Sequence, residues 1–176
     1  VRYDLGSKFA SHPHPDGEEF LVLEGTFSDQ SGDFGVGSYL LNPEGFSHAP
    51  FTDEGCLIFV KLRQYPGTAR PRVIIDSLDA DWLDIGEGIT RLPLFDEPDY
   101  DDKMWLTRMA SGSNVPQHQH PGGEEIFVIE GTVYDDNGRY EAGCWLRMPD
   151  ASSHTLHAES DAKLYVKRGH LPTAHG

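Results

Sequence analysis

Four residues whose chemistry suits a metal ion occur twice in this 176-residue chain at the same spacing: His12, His14, Glu18 and His48, then His118, His120, Glu124 and His154. Two histidines two positions apart on a β-strand put both imidazoles on one face. A carboxylate follows after a Pro-x-Gly turn, at Glu18 or Glu124, and a third histidine comes 30 residues later, on an expected facing strand. Neutral imidazoles supply nitrogen donors and one carboxylate offsets part of a dication's charge, leaving coordination positions open for water, substrate or dioxygen. The set contains no thiolate, which excludes a zinc-finger type of site. One divalent metal per set is expected, and zinc, iron, manganese, nickel or copper would all accept these donors. A single histidine in apolar surroundings is ordinarily a core residue; two complete sets at matched spacing point to ligation instead. Strand alternation lets only one of each adjacent pair, Glu18 or Glu19 and Glu124 or Glu125, face the metal. His157, His170 and His175 have no repeat partner and read as surface or tail residues.

The elements that must position these residues follow from an internal duplication. Residues 6–61 return as residues 112–167 at one constant offset of 106. The matched pairs include Gly25 with Gly131, Pro43 with Pro149, Ser47 with Ser153 and Lys61 with Lys167, besides the metal-competent residues. Short apolar runs at residues 20–23, 57–60, 126–129 and 164–166 lie between Gly, Pro, Asp and Asn turns, the pattern of an all-β fold. Glu24-Gly25 and residues 135–138 read as hairpin turns. Between the repeats, strands are expected at residues 72–76 and 89–95. The segment is too apolar for a free linker, so the expected organisation is a unit at residues 1–65, an inter-barrel segment at 66–103 whose strands pack on the barrels, and a unit at 104–176. The acidic run from Phe95 to Lys103 is read as a solvated loop in preference to a calcium site.

Composition narrows the partners. Fourteen basic against 29 acidic residues give a net charge of −15, which argues against nucleic acid and anionic membrane surfaces. There is no apolar run of membrane-spanning length and no signal-peptide character at Val1, so a cytoplasmic protein is expected. Cys56 and Cys144 sit in unlike contexts, which speaks against a disulfide. A homodimer is expected from the tendency of β-barrels to bury an open edge.

These residues resemble the cupin superfamily. Gly6, His12, His14, Glu18 and Gly25, and again Gly112, His118, His120, Glu124 and Gly131, follow its first motif, and the six residues between Glu18 and Gly25 select Glu18 over Glu19. Gly37, Pro43, Gly45 and His48 follow the second motif. In the second repeat Gly143, Pro149 and His154 do so, with Ala151 in place of the glycine, and the motif's terminal Asn is missing from both. More narrowly, residues 12–19, 23–29, 47–50, 59–62 and 165–171 look like the ChrR-like cupin group. The resemblance implies two tandem jelly-roll barrels, as in bicupins, with one metal in each. Met104, Trp105 and Leu106 precede the second repeat without a counterpart before Val1, so the first barrel is expected to lack or borrow an opening strand.

Two readings of function follow from the resemblance. One is a non-haem, Fe(II)-type dioxygenase acting on a small carbonyl or dicarbonyl compound; the other is a metal-binding sensor without turnover. In a third, one site is structural and the other catalytic, because the repeats differ at Tyr39 and Trp145, Asn42 and Met148, and Cys56 and Ala162. Phe20, Tyr39, Phe127 and Trp145 are candidate pocket aromatics, with core packing the preferred reading. No separate catalytic base is identifiable.

Overall fold

The computed structural model describes residues 1–172 and contains strands and turns but no helix among them. No helix is therefore long and apolar enough to cross a membrane. The chain divides into two compact units, Val1–Ala80 and Asp81–Gly176.

The first unit contains β1 (Arg2–Tyr3), β2 (His12–Pro13), β3 (Glu18–Gly25), β4 (Phe27–Asp29), β5 (Gly32–Phe34), β6 (Ser38–Asn42), β7 (Ser47–His48), β8 (Cys56–Leu62) and β9 (Val73–Asp76). The antiparallel sheet β1-β8-β3-β6-β9 faces two small ladders, β2-β7 and β4-β5. Alternation along β3 aims Phe20 and Val22 at Phe27 and Phe34 of the small ladder, with Leu40 and Ile58 closing the core. Each such side chain contributes about 1.5–3 kcal/mol on burial. Glu18 has the same parity as Phe20 and Val22, so the strand that builds the core also delivers a carboxylate into it.

The second unit contains β10 (Leu83–Gly86), β11 (Ile89–Phe95), β12 (Lys103–Met109), β13 (Asn114–Gln119), β14 (Glu124–Glu130), β15 (Thr132–Asp135), β16 (Gly138–Glu141), β17 (Trp145–Met148), β18 (Ser153–Ala158) and β19 (Ala162–Arg168). Its sheets run β10-β11-β12-β19-β14-β17 and β13-β18-β15-β16. Ile126 and Val128 of β14 meet Val133, Leu156 and Ala158 between them. Glu124 shares their parity. Both units are thus all-β, two-sheet jelly rolls, the class expected from the sequence.

The segment between the repeats is apportioned by strand pairing. β9 joins the first sheet beside β6, while β10 and β11 extend the second sheet beyond β12. Arg2 pairs with Leu57 as Arg108 pairs with Lys163, so two-residue β1 matches the end of seven-residue β12. Residues 135–138 form the β15–β16 hairpin as expected. Glu24-Gly25 does not form one: β3 and β4 lie in different sheets, and the chain turns a corner between them. The corner is why glycine stands there. Gly25 has φ +69°, and a Cβ would lie 2.0 Å from the Gly55 carbonyl oxygen; at Gly131 (φ +76°) it would lie 2.0 Å from that of Asp161.

Candidate metal centres

In both units the third histidine lies on the strand hydrogen-bonded to the first, not on a facing one. His12 is the cross-strand partner of His48 on β2 and β7, and His118 that of His154 on β13 and β18. Directly paired residues project to the same side with Cβ atoms about 4.5–5.5 Å apart, which brings their rings together without a second sheet. The second sheet supplies the carboxylate. His14 and His120 lie just past the ends of β2 and β13, where the turn begins.

In the second unit one donor atom from each of His118, His120, Glu124 and His154 lies within 4.8 Å of all the others. Glu124 Oε1 is 3.4 Å from His120 Nε2 and 3.3 Å from His154 Nε2, and Oε2 is 3.9 Å from His118 Nε2. In the first unit the mutual group is His12, His14 and His48. Glu18 stands beside it, with Oε2 3.5 Å from His14 Nε2 and 3.7 Å from His48 Nε2. His14 Nε2 and His48 Nε2 are 2.8 Å apart. Donors that share an ion at about 2.1 Å sit roughly 3.0–3.4 Å from one another, so these spacings suit chelation.

The outward nitrogens settle which atom faces the centre. His12 Nδ1 donates to the Ala10 carbonyl at 2.9 Å, and His118 Nδ1 to that of Pro116 at 2.7 Å. His48 Nδ1 donates to Asp29 Oδ2 at 3.1 Å, and His154 Nδ1 to Asp135 Oδ2 at 3.0 Å. With the proton held on Nδ1, each Nε2 presents a lone pair inward. His120 Nε2 and His154 Nε2 are buried and make no hydrogen bond. Buried nitrogens left without a partner are costly unless something else engages them, and a dication fits that requirement. Asp29 and Asp135 were not identified from the ligand pattern, although they are a repeat-matched pair at the same offset of 106.

Adjacent Glu19 and Glu125 face the other side of their sheets. Glu19 accepts hydrogen bonds from Tyr39 and Tyr65. Glu125 meets Arg147 Nε at 3.3 Å and His170 Nε2 at 3.0 Å. The reading of His170 as a surface or tail residue is thereby corrected, its side chain being only 9% exposed. His157 stacks on Tyr134 with centroids 4.9 Å apart; His175 lies outside the described residues. Phe20 packs in the first core and Tyr39 on its far side, whereas Trp145 is 55% exposed and is not an inward pocket residue. Cys56 and Cys144 are free thiols. Ala151, which stands where the motif has glycine, adopts φ +62° beside the +80° of Gly45 and preserves the turn.

The two carboxylates have different neighbours. Glu18 is flanked across the sheet by Leu62 and Asn42, and Asn42 Nδ2 donates to it at 3.2 Å. Burial pushes its carboxyl up to about 7. Glu124 is flanked by Arg168 and Met148, and the Arg168 guanidinium bonds both Glu124 and His118 Nε2. Burial works against the Glu124 charge, but His118, His154 and Arg168 together hold its carboxyl below the usual range. Burial lowers His14 and His120 to about 4, which keeps both imidazoles neutral and available to a metal at physiological pH.

A two-sheet jelly roll carrying an inward His-rich set defines a metal-binding cupin architecture. The chain belongs to the ChrR Cupin-like domain family, whose profile matches residues 1–66 and 70–172. Among solved structures, a dioxygenase candidate from Nostoc punctiforme is similar over 99% of this chain and 70% of that chain, with TM-score 0.77 and 14% identity. Bacterial pirin YhhW from Escherichia coli, in complex with nickel(II), is similar over 98% and 80%, with TM-score 0.73 and 19% identity. Rhodobacter sphaeroides SigE in complex with the anti-sigma ChrR gives 26% identity over 52% of this chain and TM-score 0.48, and the chain spans 50% of that one. No match was found among curated proteins.

Proposed function

We propose that the chain is a bicupin holding one divalent transition metal per unit, on His12, His14, Glu18 and His48 and on His118, His120, Glu124 and His154. In this reading it is a non-haem, Fe(II)-type dioxygenase acting on a small carbonyl or dicarbonyl compound. The observation that carries it is the pair of buried, unbonded Nε2 atoms of His120 and His154, both aimed at Glu124 Oε1. A bound dication of this kind supplies Lewis-acid chemistry and, as iron(II), a route to dioxygen activation. The protein's own contribution is to fix the donors: Asp29 and Asp135 hold the third histidines in the tautomer that ligates. Apolar side chains beside His118, Glu124 and His154, among them Val115, Ile126 and Leu164, line a small cavity there and limit the water that reaches it. The Nostoc dioxygenase candidate supports the reaction class, and the nickel-bound pirin supports a transition metal. A small-molecule substrate is the partner this reading requires, with a cytoplasmic homodimer as its setting and residues 1–65 and 104–176 as the two working units.

A second reading, a metal-binding sensor without turnover, is supported by the family description, which refers to ChrR. Metal analysis by mass spectrometry on protein purified without chelator tests the common core. About two equivalents are expected, falling by one in His48→Ala and by one in His154→Ala. Iron together with oxygen uptake on a dicarbonyl supports the enzyme, and zinc without turnover supports the sensor. Protein that binds no metal even after anaerobic reconstitution refutes both.

A further inference from the structure

Beside the second unit's histidines and Glu124 is a cavity of ≈ 20 Å³, room for about one water, whose wall includes Arg91, Trp105 and Arg168. The same three residues also line a cleft of ≈ 550 Å³ that opens to solvent. They form a stack, the Arg91 and Arg168 Cζ atoms lying 5.1 Å and 5.2 Å from the Trp105 ring centroid. A single layer of side chains thus separates the outer cleft from the metal-competent residues.

That layer is short of acceptors. Arg91 Nε and Trp105 Nε1 are buried and make no hydrogen bond. A buried donor left without an acceptor is destabilising, the more so when it is charged. The formal charge is also unbalanced. Two guanidinium groups face a cavity whose one lining carboxylate is Glu124, and a dication on that carboxylate would leave the site with surplus positive charge. Burial and the neighbouring Arg168 both work against the charge of Arg91. The cleft wall adds apolar surface from Leu83, Ile85, Pro93 and Phe95, of which Leu83 and Ile85 are about half exposed, and at its rim the carboxylates of Asp96 and Asp101, the former paired with Lys103.

We infer that the Arg91–Trp105–Arg168 stack of the second unit is the anchor for a small organic carboxylate, whose apolar body rests in the outer cleft while its anionic head turns toward the metal site. The inference rests on the metal-centre reading for what lies beyond the stack, but not for the anchor itself. Arginine provides paired donors in a plane that match a carboxylate, and the indole N–H adds a third. The first unit lacks the arginine–tryptophan–arginine arrangement: Leu62 stands at the repeat position of Arg168, residues 1–80 contain no tryptophan, and a comparable guanidinium, Arg72 over the Phe46 ring, already gives its Nε to Asn42 Oδ1 and stands 4.0 Å from the Asp29 carboxylate. One anion per chain follows, although the metal-competent set occurs twice.

Calorimetry on the zinc-loaded full chain, with benzoate as probe and neutral benzamide as its uncharged analogue, tests this. Tryptophan emission reports on the second unit alone, which holds all three tryptophans. The expected result is one benzoate per chain, bound at least tenfold more tightly than benzamide and weakened at least tenfold in Arg91→Gln with zinc content unchanged. Equal affinities for benzoate and benzamide in the parent overturn the inference whatever the variants do, as does an Arg91→Gln protein that binds benzoate normally. Zinc content separates the two readings. If the parent holds no zinc, the metal reading fails, and the benzoate–benzamide comparison on metal-free protein still decides the anchor.

Discussion

Replacing Asp29 with Asn changes one atom and should weaken metal binding in the first unit alone. Asp29 Oδ1 accepts from the Ser31 N–H at 2.6 Å, and Oδ2 accepts from His48 Nδ1 at 3.1 Å. The Asp29 and His48 side chains are 0% and 1% exposed, so water cannot substitute for either bond. An asparagine can keep only one of them. If its oxygen stays on Ser31, its amide NH2 points at His48 Nδ1 and forces the imidazole proton onto Nε2, which removes the lone pair that faces the centre. If it flips, two N–H groups oppose each other at Ser31. Loss of a histidine's orienting partner typically lowers metal affinity 10- to 100-fold, or ~1.4–2.8 kcal/mol. Competition with a chromophoric chelator in a His154→Ala background isolates the first site. A dissociation constant within twofold of the parent's, in a folded Asp29→Asn protein, would refute the claim that Asp29 sets the tautomer.

The remaining predictions concern the corner glycines and the Glu18 proton. Gly131→Ala should destabilise the second unit by more than about 2 kcal/mol, because the Cβ would meet the Asp161 carbonyl oxygen at 2.0 Å on top of the ~1–2 kcal/mol cost of a left-handed φ; a urea midpoint equal to the parent's would contradict this. With its carboxyl raised to about 7 by burial, Glu18 in the metal-free protein should be about 90% protonated at pH 6, and ligation must expel that proton. Affinity at the first site should therefore climb as pH rises through 6 to 7 and flatten above it. Calorimetry in buffers of different ionisation enthalpy should show about one more proton released by His154→Ala than by His154→Ala combined with Glu18→Gln. Equal release would mean that Glu18 enters the site already charged.

The fold class was legible from short apolar runs between turns, and the duplication put the two candidate sets in one register. Strand alternation lets only one of Glu18-Glu19 and of Glu124-Glu125 face inward, the family motif favours Glu18 and Glu124, and these two stand beside the histidines. The pairing partner was not legible. A separation of thirty positions from Glu18 to His48 fits either a facing or an adjacent strand, and only the β2–β7 register shows the latter. Likewise, Glu24-Gly25 looks like hairpin punctuation because a glycine at a corner and one in a hairpin serve the same left-handed φ. His170 resembled a tail residue because its partner, Glu125, lies 45 positions away and pairs with it only through the fold.

The two sites differ in the residues beside their carboxylates. Each carboxylate has two cross-strand neighbours, and both have changed: Leu62 and Asn42 beside Glu18 became Arg168 and Met148 beside Glu124. Burial raises the Glu18 carboxyl despite the bond from Asn42 and favours the protonated form, whereas His118, His154 and the Arg168 guanidinium together keep Glu124 ionised against burial. The same guanidinium also bonds His118, so a metal entering the second site must displace a cation, while one entering the first must displace a proton. Displaced from Glu124, Arg168 remains next to Trp105 and Arg91, where its charge is available to an incoming anion. The coordinating residues were conserved through the duplication, and the divergence lies in the residues that decide what exchanges with the metal. Metal retention at mildly acidic pH and anion binding should therefore both fall to the second unit, the retention through the changed neighbours of its carboxylate and the anion binding through Arg168 together with Arg91 and Trp105.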